Sequence, residues 1–123
     1  MKRTSPVDSI LARYAAGDRS FVESDLDQDF HDFSNMNLSR ADFSRSFIDA
    51  SFRNTNLVGA SFSNANIKCC DFTGANLKDA SFRGAAIDGA VFEGANLEGT
   101  TFEGASEQGH IYGKYELPFG TAG

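Results

Sequence analysis

The chain has 123 residues, 41% of them hydrophobic and 23% charged, which suits one folded domain and excludes a disordered chain. Seventeen acids against eleven bases leave a net charge of −6, which excludes a sequence-wide electrostatic grip on DNA or RNA. No apolar run nears the roughly 18 residues that span a membrane, and two adjacent cysteines build no disulfide framework, so a cytoplasmic, reducing setting is expected.

In chain order, residues 1–20 read as a helical cap. The start, MKRTSPVDSILARY, is basic but breaks into Pro6 and Asp8, so it lacks the apolar centre of a signal peptide. Ser5 or Asp8 can begin a short helix, with Ile10, Leu11 and Tyr14 at helical spacing and Gly17 as its stop. Its apolar face is expected to cover the end of the next segment near Phe21 and Phe33.

Residues 21–106 carry a period that is neither helix nor strand. From Phe52 every fifth residue is Phe, Leu or Ile: Phe52, Leu57, Phe62, Ile67, Phe72, Leu77, Phe82, Ile87, Phe92, Leu97 and Phe102. On a helix five steps of about 100° scatter such residues around the axis, and on a flat strand they alternate faces. A small residue lies two before each, as at Ala60, Cys70 and Ala85, and Gly, Asn or Asp lies two after each except at Cys69. Those turn-formers adopt positive φ cheaply, so the pattern makes sense if the chain turns once per repeat and every large residue points at one axis. Identities recur every 20 residues, which gives four sides per coil and columns of like residues.

The columns extend backwards through Phe33, Leu38 and Phe43, which precede their partners by 19 residues. One residue is therefore missing between Phe43 and Phe52, and either Phe47 or Ile48 faces inward there. Ile48 is favoured, because it places small Ser46 rather than Arg45 at the narrow inward position and completes the column Ile48, Ile67, Ile87. The spacing of seven between Leu26 and Phe33 makes the first coil irregular.

The tandem motif resembles the pentapeptide repeat family, whose loose consensus is A(D/N)LXX. The match lies at residues 41–43, 60–62, 65–67, 75–77 and 95–97, and the resemblance covers roughly residues 33–106. It implies an all-β solenoid, a right-handed quadrilateral β-helix of about four to five coils with a short N-terminal α-helical cap. Residues 10–21 also resemble the helical lead-in of many bacterial members. The resemblance implies no single activity. Some members linked to fluoroquinolone resistance resemble B-DNA in width and charge and occupy the DNA site of a topoisomerase such as gyrase.

Residues 107–123 form a tail in which the repeat fails, with Glu107 in an inward slot and Ile111, Tyr112, Tyr115, Leu117 and Phe119 beyond it. The tail is expected to fold over the end of the coil stack or to dock on a second molecule, giving a monomer or a dimer through the terminal coil or tail. His31 and His110 stand far apart with no metal-ligand spacing, and neither a phosphate loop nor a Ser/His/Asp set can be assembled, so no enzyme, cofactor or metal is expected. Cys70 falls at a buried small position, whereas Cys69 falls at an exposed turn. Glu93, Glu98 and Glu103 occupy three successive sides of the last coil, with Lys78 one coil below Glu98 and Arg83 one below Glu103. That acidic rim reads either as cross-coil ion pairing or as a surface that recruits a basic protein partner. A non-enzymatic structural or protein-interaction module is the leading reading, with topoisomerase-directed DNA mimicry as the alternative. Neither direct nucleic-acid binding nor a membrane role is expected.

Overall fold

The computed structural model describes residues 5–118, so Phe119 of the tail lies outside the described residues. Helix α1 spans Pro6–Ala15. Ser5 caps it, its hydroxyl accepting the Asp8 N–H at 3.1 Å, and Pro6 occupies the first turn, where a missing N–H costs nothing. The chain leaves the helix at Gly17 with φ +101°. Ile10 is buried, with Val7, Leu11 and Tyr14 packed beside it against the core. The Arg13 guanidinium lies 4.7 Å from the centroid of the Phe21 ring, and the Tyr14 hydroxyl donates to the Ser39 carbonyl at 2.8 Å.

From Phe21 onward the chain winds as a four-sided β-helix. Each side meets the coils above and below through one parallel bridge, as in Asn56, Asn76 and Asn96 or Ser51, Asp71 and Val91. At the regular corners from Leu38 and Phe43 and from Phe52 onward the small residue donates back to the core residue three before it, as Ala60 does to the Leu57 carbonyl at 3.0 Å. The residue just before the small one has positive φ, as Gly59 does, which makes the corner a type II turn. The turn is imposed by the coil even where no glycine relieves it, since Cys69 sits at φ +64°. At Gly84 (φ +68°) an added Cβ would also press on the Asn64 side-chain oxygen one coil below, which would have to rotate away.

Four columns fill the tube: Phe21, Phe43, Phe62, Phe82 and Phe102; Leu26, Ile48, Ile67 and Ile87; Phe33, Phe52, Phe72 and Phe92; and Leu38, Leu57, Leu77 and Leu97. Within a column the rings lie nearly parallel, Phe52 to Phe72 at 5.1 Å and 5°, Phe72 to Phe92 at 5.1 Å and 1°. Between columns they meet edge to face, Phe62 to Phe72 at 5.5 Å and 81°. Both arrangements suit the quadrupole of the ring. The four coils from Phe21 to Phe102 rise about 19 Å at the spacing of neighbouring strands.

Ile48 is buried and Phe47 is 52% exposed, so the four-residue step between core positions 48 and 52 is taken with Ile48 inside. Leu97 departs from expectation. The other three leucines of its column are fully buried, but Leu97 is only partly buried, because no coil lies above it. The core also begins earlier than the tandem motif does, at Phe21 and Leu26. Strand β1 (Asp25–Asp32) pairs in parallel with β2 (Phe47–Ser51), Leu26 opposite Ile48 and His31 opposite Ala50. Residues 27–30 thus bulge opposite Asp49 alone, which hides the register from a count of fives. At the far end β3 (Ser106–Glu107) and β4 (His110–Ile111) form a small antiparallel hairpin that lays Tyr112 beside Phe102.

Candidate interaction surface

The large apolar residues at the core position of each repeat point inward, and of the others Phe30, Phe47 and Val91 are exposed, so chemistry on this chain belongs to the outward positions and the two ends. Much of the outward polar surface is committed to the scaffold. The side-chain oxygens of Asn37, Asn56, Asn76 and Asn96 each accept the N–H two residues on, at 3.0–3.2 Å, which braces one whole side. On an adjoining side the hydroxyls of Ser44, Ser61, Ser63 and Ser81 form a continuous hydrogen-bonded chain with steps of 2.8–3.1 Å. Small inward positions that carry a polar atom also satisfy it, as where the Thr55 hydroxyl donates to the Phe33 carbonyl at 2.7 Å.

Charge on the sides is mixed. Arg53 pairs with Asp71 at 3.0 Å, Arg45 with Glu23 at 3.6 Å and Arg83 with Glu103 at 2.7 Å, each joining adjacent coils. Burial works to raise the Asp71 carboxyl, but hydrogen bonds from Thr73 and Arg53 outweigh it and hold the group below its ordinary value. Of the expected rim, Glu103 is therefore half-buried and ion-paired, while Glu93 and Glu98 are exposed and make no ion pair among the described residues. Lys78 lies one coil under Glu98 but does not pair with it among the described residues.

The C-terminal hairpin brings together residues that the repeat pattern did not connect. The Tyr112 hydroxyl donates to Glu107 at 2.6 Å; burial pushes this phenol up, and the hydrogen bond to Glu107 adds to the shift. His110 meets Glu116 at 2.6 Å. The Gly113 N–H and His110 hold the Glu116 carboxyl below its ordinary value. The signal for this cap was the tail sequence Ile111-Tyr112, although its antiparallel path could not be read from a parallel repeat. His31 is half-buried opposite Ala50, where β1 resumes its pairing after the bulge, and no group of three His, Cys, Asp or Glu suited to a metal exists among the described residues. Cys69 is exposed and Cys70 buried, and burial pushes the Cys70 thiol up to about 12.

A tube of stacked four-sided coils, capped by a helix at one end and a hairpin at the other, with its side chains spent on ladders, is a solenoid repeat protein. The chain belongs to the pentapeptide repeat family: two family models described as pentapeptide repeats, of 8 and 9 copies, match residues 46–84 and 68–107 and together cover 62 of the 123 residues. None of the curated proteins matches it. Among solved structures, a pentapeptide repeat protein from Nostoc (alr5209) is 26% identical with a TM-score of 0.50, over 95% of this chain and 93% of that one. It supports the right-handed quadrilateral β-helix as the shared fold. HetL, a pentapeptide repeat protein of heterocyst differentiation from the cyanobacterium Nostoc, is 24% identical with a TM-score of 0.49, over 76% of this chain. The chain spans about half of HetL's length, 49%. QnrB1, a plasmid-mediated fluoroquinolone resistance protein, is 19% identical with a TM-score of 0.36, over 70% of this chain and 71% of that one.

Proposed function

We propose that this chain is a non-enzymatic protein-interaction module, a short rigid rod that offers its C-terminal acidic rim to a basic protein partner. The observation that carries the reading is the excess of acid at the C-terminal end, where residues 91–123 hold five acids and one base. Charge on the sides is mixed, with arginines beside Glu23 and Asp71 of neighbouring coils, and at the rim Glu93 and Glu98 are exposed and make no ion pair among the described residues. Serines and asparagines that a catalytic reading would need are engaged in the ladders. The same alternation of charge favours this module over mimicry of DNA, which needs a continuous negative stripe. Two free cysteines fit a reducing, cytoplasmic setting, and no helix among the described residues is long and apolar enough to cross a membrane.

The test is chemical cross-linking in lysate of the source organism, with the wild-type chain beside the Glu93→Gln/Glu98→Gln variant. Cross-links from the last coil to a basic protein, lost in the variant, are expected. Identical cross-links from both proteins would remove the rim from the account. A gyrase supercoiling assay addresses the alternative, and no change at micromolar protein is expected.

A further inference from the structure

Inside the stack each side of a coil satisfies its neighbour through three backbone hydrogen bonds. On the leucine side of the coil below the last, the Ala75 carbonyl accepts the Asn96 N–H, and the Leu77 and Asp79 N–H groups donate to the Asn96 and Glu98 carbonyls, all at 2.9 Å. The equivalent groups of the last coil are the Ala95 carbonyl and the Leu97 and Gly99 N–H groups. None of the three is hydrogen-bonded among the described residues. The hairpin covers a different corner, where Gly104 and Ala105 bond to Tyr112. An open strand edge of this kind is a template for another extended chain.

The edge is lined for an apolar side chain. Leu97 is the half-open member of an otherwise buried column, and with Thr100, Tyr115 and Leu117 it borders a cleft beside the edge. Leu117 is 44% exposed and Tyr115 86%. Around the cleft Arg83 is taken up by Glu103, Lys114 is the other base, and Glu98 follows Leu97 without a cation.

We propose that this end takes an extended segment of a partner protein by parallel strand addition, and that the segment carries an apolar residue followed directly by Lys or Arg. The rule follows from register. A residue whose N–H reaches the Ala95 carbonyl and whose carbonyl reaches the Leu97 N–H places the next side chain on Leu97. The residue after that sits over Glu98 and offers its carbonyl to the Gly99 N–H. The stack already contains such a pairing, since Arg83 directly follows core Phe82 and reaches Glu103 in the adjacent coil at 2.7 Å. Charge sets the choice of occupant: a second copy would bring another Glu93 and Glu98 against the first pair, whereas a basic segment neutralises them.

The proposal rests on the acidic-rim reading and names its partner's chemistry. It is tested by titrating the isotope-labelled full chain with a short acetylated peptide amide of serine and threonine with leucine then lysine at its centre. A twin peptide has glutamate in place of lysine. The Leu97 and Gly99 amide signals are expected to shift, with the glutamate peptide about fivefold weaker, as one exposed ion pair allows, and Glu98→Lys should reverse that order. No shift with either peptide, equal binding of both, or a concentration-dependent dimer that protects the same amides without peptide would each overturn the proposal. Rim-dependent cross-links in lysate together with a failed titration would sink strand addition alone. A successful titration without rim-dependent cross-links would sink the interaction-module reading instead.

Discussion

Replacing Phe72 with alanine should cost about 4 kcal/mol, within the roughly 3–5 kcal/mol range for Phe→Ala in a packed core. Phe72 is stacked on Phe52 and Phe92 at 5.1 Å and meets Phe62 and Phe82 edge-on at 5.5 and 5.4 Å. The cavity cannot easily collapse, because the coil spacing is fixed by hydrogen bonds on both sides, such as Phe72 N–H to Val91 and Phe52 N–H to Asp71, each 2.7 Å. Phe92→Ala should cost less by about 0.5–1.5 kcal/mol, one ring pair, since no ring stacks above it. Phe30→Ala removes a ring that is 62% exposed and should stay within about 0.5 kcal/mol of wild type. Urea unfolding followed by far-UV circular dichroism gives all three values, provided that the slope against urea is unchanged. A cost below about 1 kcal/mol for Phe72→Ala, or one equal to that of Phe30→Ala, would refute a core held by stacked rings.

Ala85→Leu should destabilise by about 1–3 kcal/mol, because Ala85 is fully buried at the narrow position two before Ile87; thermal melts check this. Gly84→Ala combines strained φ with the Asn64 oxygen below, so a loss of about 1–2 kcal/mol is expected, partly recovered by adding Asn64→Gly in a double-mutant cycle. Native Cys69 should react with a thiol reagent in full before Cys70 reacts at all, as mass spectrometry of the labelled peptides would reveal. Cys70 keeps its proton to about 12 in the fold against an ordinary 9.0. The folded state therefore binds more protons between those values, and the stability contribution, complete below pH 9, falls as pH rises towards 12. Cys70→Ala should flatten that alkaline slope in urea titrations.

The middle of the molecule was legible because one steric rule repeats: a large residue inside, a small one two before it and a positive-φ former two after it. The missing residue between Phe43 and Phe52 was legible too, since only Ile48 kept a small residue at the narrow position. The ends were not, for physical reasons that differ. At the start, residues 27–30 loop out between Leu26 and Phe33, so Phe21 and Leu26 keep their columns while the count of fives fails. At the finish the chain leaves the parallel path for an antiparallel hairpin, and a parallel pattern holds no information about which ring turns back. Leu97 matches its column in sequence, but burial needs a coil above, which periodicity at one position does not report. For the rim, sequence placed Glu93, Glu98 and Glu103 on successive sides; which one finds a cation depends on side-chain reach, and only Glu103 does among the described residues.

The most direct test of the whole account is a map of ring-to-ring proximities by nuclear Overhauser spectroscopy on the full chain in solution. Cross-peaks linking Phe52 to Phe72 and Phe72 to Phe92, with Phe62 and Phe82 touching Phe72 edge-on, are expected from their separations of 5.1–5.5 Å. Cross-peaks confined to residues three or four apart in sequence, with none across one coil, would contradict the four-sided stack.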